Sequence, residues 1–264
     1  MITPTHTLKI ITLLVALSVS ALSAAEKIEH EGAEYWIYRI DPKKEKLELF
    51  LGEEKGKPNT FLKLEERLNR KGLQLKFAVN AGIFEPNFLS TGLHISEGKT
   101  IVDLNLEEFK KTRESEFTPN FYLKPNGVFY LLEDGTTGIV ESSRMKTLKP
   151  ASPIRIANQS GPLLAFNNKI HPILTRDSTS TRHRNGVGVT RDGEIVFACT
   201  IHDRKKGLSN LFNFSTLFVE KLNCPDALYL DGDISYVFIR GMTPPLRESN
   251  WFGGIFAVTT AKGD

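Results

Sequence analysis

The sequence predicts an α+β fold, with β-rich mixed sheets packed against a few helices in a single domain. Three observations predict it. Short apolar, β-branched or aromatic runs recur along the chain, each bounded by turn residues. Only two stretches repeat their apolar residues at helical spacing. No fixed-period repeat, low-complexity linker or long polar insert divides the chain.

The N-terminus stands apart from this plan. Ile10 to Leu22 is a short apolar run preceded by His6 and Lys9, and Ser23-Ala24-Ala25 supplies small residues for cleavage after Ala25. Residues 1–25 read as a secretory signal peptide, with an uncleaved anchor as the alternative, and residues 26–264 read as the domain. No cysteine follows the apolar run, which argues against a lipoprotein, and no other segment is long and apolar enough to cross a membrane. The expected location is periplasmic or secreted. A formal charge of +3 over 264 residues gives no reason to invoke nucleic acid or an anionic membrane surface.

The elements follow in order. Tyr35 to Ile40 and Lys46 to Leu51 read as strands, and Leu75 to Val79 as a third. Phe61, Leu64 and Leu68 lie on one helical face, with Asn59 or Thr60 as the cap and Gly72 as the stop. Asn120 to Leu123 and Val128 to Leu131 flank Lys124-Pro125-Asn126-Gly127, which predicts a hairpin. A second hairpin is expected at Arg191-Asp192-Gly193 and a third at Asn167-Asn168. Leu211, Phe214, Phe218 and Leu222 mark the second helix, capped by Ser209 or Asn210, with an aromatic stripe that faces the core. Gly254 to Thr260 closes the fold as a strand.

Cys199 lies in a strand and Cys224 just before another. A disulfide and two buried free thiols are both compatible with the sequence, since pairing depends on a separation that sequence does not hold. Two cysteines without a histidine cluster lack zinc spacing, so no metal ligand and no cofactor is assigned; calcium, which binds through carboxylates alone, stays open.

Four segments join an apolar run to a loop rich in glycine and polar groups: Asn80-Ala81-Gly82-Ile83-Phe84-Glu85, Asn158-Gln159-Ser160-Gly161-Pro162, Arg182-His183-Arg184-Asn185-Gly186-Val187-Gly188 and Asp231-Gly232-Asp233-Ile234-Ser235. Buried strands that finish this way place polar side chains at the mouth of a sheet, where ligands bind. The apolar lead-in Ala227 to Leu230 favours a functional Asp231 over a self-bonded turn, whereas Asp233 and Glu85 are balanced between site and loop. Arg184 offers a planar fork for phosphate or carboxylate, next to glycines that allow close approach. Ser160 lacks the strained turn of a serine nucleophile and is expected to contact substrate instead. His202 ends the Cys199 strand, where a surface or capping role outweighs acid–base work.

Taken in order, these segments resemble the phosphodiester glycosidase family, and in particular its bacterial secreted branch. The matching residues are Asn80 to Glu85, Thr91 to Leu93, Asn120 to Phe129, Gln159 to Leu163, Arg184 to Gly188 and Ala227 to Gly232. The resemblance implies hydrolysis of a sugar-1-phosphodiester at the glycosidic bond, releasing free sugar and a phosphomonoester. Asp231 and Glu85 are then the catalytic carboxylates and Arg184 the phosphate ligand, in the two-carboxylate manner of glycosidases. Asn80, Gly82, Asn120, Gln159, Ser160, Gly161, Asn185, Gly232, Asp233 and Ser235 are the expected substrate contacts. One departure stands out: where the family has a glycine-rich Asp-Gly-Gly-Gly-Ser, this chain carries Asp233 and Ile234 after Gly232. The competing reading is a non-enzymatic envelope protein that binds a polysaccharide or glycan phosphate; a structural role in exopolysaccharide assembly has no large exposed amphipathic helix to support it.

Overall fold

The computed structural model describes residues 24–54, 56–114, 116–246 and 251–263. The expected signal peptide lies outside them except at its end, where the first strand, Ala25–His30, begins.

Three sheets form. The largest runs Ala25–His30, Ala33–Ile40, Ile195–Thr200, Asn185–Val189, Asp226–Asp231, Leu163–Phe166 and Lys169–Ile170 from edge to edge. The second runs Val237–Ile239, Leu73–Asn80, Gly254–Ala261 and Leu47–Leu51, and the third Lys99–Val102, His94–Ser96, Ile154–Ser160, Gly127–Leu132 and Thr137–Glu141. The α+β class holds, but every ladder between described strands is antiparallel rather than mixed. Tight turns join many of the neighbours, and such turns can only reverse a strand.

Side-chain alternation builds the core. Leu228 and Leu230 face a central cluster with Phe77, Phe129, Phe197 and Phe256, which draws on all three sheets. Ala227 and Tyr229 point to the opposite face, against Phe214 and Phe218 of the helical segment Leu211–Lys221. Helix Phe61–Asn69 covers the outer face of the second sheet through Phe61, Leu64 and Leu68. The caps are Thr60, whose hydroxyl accepts from Lys63 N, and Asn210, whose side chain accepts from Asn213 N.

The hairpins at Asp192-Gly193 and Asn167-Asn168 form, and both asparagines take positive φ. The hairpin expected around Pro125-Asn126-Gly127 does not. Asn120–Tyr122 is a turn of 3-10 helix, and the strand Gly127–Leu132 pairs instead with Thr137–Glu141 and Ile154–Ser160. Phe121 is buried there, and Asn126 Nδ2 donates to its carbonyl at 2.8 Å, which closes a compact loop in place of a ladder. Both cysteines are free thiols. Cys199 faces the central core and Cys224 the helix side of the same sheet, and burial raises both thiols, Cys224 to about 12.

Candidate active site

Strand ends from all three sheets converge. Leu73–Asn80 ends at Asn80, Ile154–Ser160 at Ser160 and Asp226–Asp231 at Asp231, while Asn185 opens its strand alongside. A bulge places Asn185 opposite Asp231 and Gly186 opposite Tyr229, so Leu230 is the extra residue. Bulges of this kind re-aim side chains beside functional sites. Asp231 therefore ends the strand on the helix side of the sheet, at the floor of a cleft of about 720 Å³.

Asp231 is held by two donors. Asn80 Nδ2 donates to Oδ2 at 3.0 Å and Gly232 N to Oδ1 at 2.7 Å. Burial outweighs both and raises its pKa to about 7, with a smaller push from the Asp233 charge. A carboxyl tuned to neutrality in a cleft can gain and lose a proton during turnover.

Arg184 lies against the same floor and is only 3% exposed. Its Nε donates to Ser209 O at 2.9 Å, one terminal nitrogen to Ser180 O at 2.8 Å and the other to the Tyr229 hydroxyl at 3.2 Å. Among the described residues no carboxylate pairs with it. Three of its five N–H donors are used, so two are left for a ligand. A buried guanidinium without a counter-charge is costly unless an anion joins it, so the arrangement can take an oxyanion.

The sequence assignments divide sharply. Asn120, Gly232 and Asp233 line the cleft with Asp231 and Arg184. Asp233 sits on the rim, its side chain 69% exposed and 3.3 Å from Arg182. Glu85 does not reach the cleft. The chain turns back at Phe84, which bridges to Ser90, so Glu85 is left exposed at the tip of a tight turn closed by Phe88 N to Glu85 O. Its place as the second carboxylate is not supported.

Six further positions brace the site from behind. Gln159, fully buried, accepts from Leu93 N and Asn105 N and donates to Asn105 O and Ser142 Oγ. The Ser160 hydroxyl donates to Leu230 O at 3.0 Å. Asn185 Nδ2 donates to Asn80 O at 2.5 Å. At Gly82 a Cβ would lie 2.6 Å from Asn158 Oδ1, and at Gly161 one would lie 2.6 Å from Asn126 Cβ. These two glycines permit packing rather than ligand approach. Ser235 is buried, bonds Gly232 O through its backbone and is not a cleft residue. Asn80 also stands behind the cleft wall, yet it touches Asp231 directly.

The cleft adds residues the sequence reading missed. Tyr229 carries the hydroxyl that receives Arg184 and is also bonded by the Asn120 side chain; burial pushes it up to about 12. Its place in the strand, two residues before Asp231 on the same face, was the available signal. Lys111 and Phe117, from the segment between Asn105 and Asn120, form one bank of the cleft. Phe117 is 93% exposed there. Among the described residues no three His, Cys, Asp or Glu side chains gather to hold a metal ion, and no helix is long and apolar enough to cross a membrane.

Residues 74–249 match the phosphodiester glycosidase family model. The chain belongs to the phosphodiester glycosidase family. An uncharacterized protein of Escherichia coli, YigE, is 32% identical over 212 residues, which cover 80% of this chain and 76% of that protein. The fold is similar to that of the zebrafish N-acetylglucosamine-1-phosphodiester alpha-N-acetylglucosaminidase catalytic domain, solved auto-inhibited by its pro-peptide. The TM-score is 0.61 at 14% identity, over 89% of this chain and 81% of the other. A hypothetical protein from Synechocystis matches with a TM-score of 0.51 at 14% identity, over 89% of this chain and 61% of the other. Within the family, Asp231 and Arg184 are the pair this chain brings to the floor of its cleft.

Proposed function

We propose that this phosphodiester glycosidase hydrolyses the glycosidic bond of a sugar-1-phosphodiester, releasing free sugar and a phosphomonoester. The single observation that carries the reading is the buried, carboxylate-free guanidinium of Arg184 lining one cleft with a carboxyl poised near neutrality. The family and the fold support a glycosidase in general; the bond cleaved here is inferred from this pair.

The substrate phosphate takes the two free donors of Arg184. The ionised Asp231 removes a proton from a water molecule as the water oxygen bonds to C1 of the sugar. The bond from C1 to the phosphate oxygen breaks and its electron pair leaves on the phosphate. A phosphomonoester has a second pKa of about 6, so this leaving group needs charge stabilisation more than protonation. Arg184 supplies that charge in a site sheltered from water, where it counts most. Asn80 and Gly232 fix the carboxylate, and Tyr229 and Asn120 fix the fork of Arg184.

Asp231 acting on water, with Glu85 out of reach, replaces the two-carboxylate scheme suggested by the sequence. A glycan-binding protein without turnover would use the same cleft, but acids of ordinary pKa would serve it, whereas desolvation raises Asp231 to about 7. The apolar run and small residues within 1–25 support a periplasmic or secreted location for this activity.

The test is to incubate purified protein with a panel of sugar-1-phosphodiesters and follow both products by NMR. Equal release of free sugar and phosphomonoester, lost in Asp231→Ala, is the expected result. Saturable binding without either product would overturn the hydrolase reading in favour of a binding protein.

A further inference from the structure

His183 lies two residues before the strand Asn185–Val189, and His202 two residues after its ladder partner Ile195–Thr200. The structure stacks them, with ring centroids 4.9 Å apart and planes 18° from parallel. They line a second cleft of about 520 Å³ that shares Arg182 and Asp233 with the first. Arg204 enters this second cleft too and has no acidic partner among the described residues. The acids nearby are already engaged. Asp203 accepts from Lys205 N and Lys206 N at 2.8 Å, and Asp233 faces Arg182.

We propose that His183, His202 and Arg204, with Arg182 at the junction, form a second oxyanion subsite that takes a further phosphate group of the same substrate. The inference rests on the phosphodiester glycosidase reading and deepens it. The preferred substrate is a sugar phosphodiester bearing a second phosphate, as in an oligomeric glycan phosphate, and not a simple diester.

The chemistry follows from charge. The His202 ring stacked beside it makes a charge on His183 more costly. An oxyanion beside the pair accepts charge-assisted hydrogen bonds from Arg204 and an edge of His202, while the His183 ring, bonded to Thr200, backs the site. Burial and the neighbouring His202 hold His183 below its ordinary value, while Asp233 opposes them. Arg182 and Arg204 add positive charge to the same cleft; Asp233 is paired with Arg182, and Asp203 keeps its charge but turns it toward the backbone amides of Lys205 and Lys206.

The experiment has two arms. In the first, inorganic phosphate and, separately, glucuronate are titrated into the full chain while the ring protons of His183 and His202 are followed by NMR. Saturable shifts with phosphate, weakened about tenfold in Arg204→Ala, are expected from loss of a charge-assisted contact. Shifts equal for both anions, or unchanged in Arg204→Ala, would overturn the phosphate subsite. In the second arm, KM is compared for a simple sugar-1-phosphodiester and one carrying a second phosphate. A lower KM for the latter, lost in Arg204→Ala with kcat little changed, supports the subsite; equal KM values sink it. Failure of the hydrolase reading shows differently, as no product from either substrate while the histidine shifts persist.

Discussion

Asn80 donates its side-chain amide to the carboxylate of Asp231 at 3.0 Å, across 151 positions of sequence. The same Asn80 accepts Tyr236 N on Oδ1 at 3.0 Å. One side chain thus orients the proposed base and secures the segment that follows it.

Asn80→Ala removes a hydrogen bond that favours the ionised form of Asp231. The pKa of Asp231 then rises above its present value near 7, and the acidic limb of the pH–rate profile moves to higher pH. Loss of the bond to Tyr236 N adds a destabilisation of about 1–3 kcal/mol. Both are read on one preparation, by a pH–rate series and by urea unfolding. An unmoved acidic limb would remove Asn80 from the tuning of Asp231.

Asp231 also leaves a mark on stability. Its folded pKa of about 7 lies above the ordinary 3.8, so between those values the folded protein holds the extra proton. Stability contributed by the protonated form is present at low pH and is lost as pH rises toward 7. The full span corresponds to roughly 4 kcal/mol as an upper bound. Asn at this position satisfies only one of the two donors on Asp231, so it starts with a deficit. Relative to wild type, Asp231→Asn should nonetheless gain stability steadily from about pH 4 to 7 and then level off. A difference that stays flat with pH would contradict the buried-carboxyl account.

Arg184→Lys keeps the charge but loses the fork and its contact with the Tyr229 hydroxyl. Turnover of a phosphodiester should fall about 100-fold or more, the scale set by removing one stabilising donor at a developing charge. Circular dichroism identifies a variant that has merely unfolded. A folded Arg184→Lys with wild-type kcat would refute the assigned role.

Gln159→Ala tests the reassignment of a residue first expected to bind substrate. Its side chain holds Leu93 N at 2.9 Å and Asn105 N at 3.0 Å. Those two amides should lose hydrogen-exchange protection, and stability should fall by about 1–3 kcal/mol for buried groups left unpaired. Retained protection at both amides would restore a ligand role to Gln159.

Gly188→Ala probes packing away from the cleft. A Cβ there would lie 2.7 Å from Phe218 and 2.8 Å from Cys224. Overpacking of this kind costs about 1–3 kcal/mol, so the melting temperature should drop while KM for substrate is unchanged. An unaltered melting temperature would show that the helix can shift to make room.

Much of the fold was legible because its signals are local. The alternation of Leu228 and Leu230 with Tyr229, the helical spacing of Phe61, Leu64 and Leu68, and the turn at Asp192-Gly193 each depend on a few neighbouring residues. The exception, Asn120–Tyr122, shows the limit of that logic. Its strand-like residues close a turn because Asn126 captures the Phe121 carbonyl and Phe121 is drawn into the interior. The site was legible only as a set of polar strand ends, since an amide facing a ligand and one facing a backbone carbonyl have the same sequence.

By itself, the sequence determined the β-rich architecture, the two capped helices and the positions where polar groups end apolar strands. Tertiary structure alone decided which of those groups meet. It set Asp231 beside Asn80, left Glu85 at an exposed turn, turned Gln159 and Ser160 inward and stacked His183 on His202. The reason is physical. Periodicity specifies which face a side chain takes on its own strand, but burial, charge and pKa depend on which other strand ends pack against it, and those lie far away along the chain.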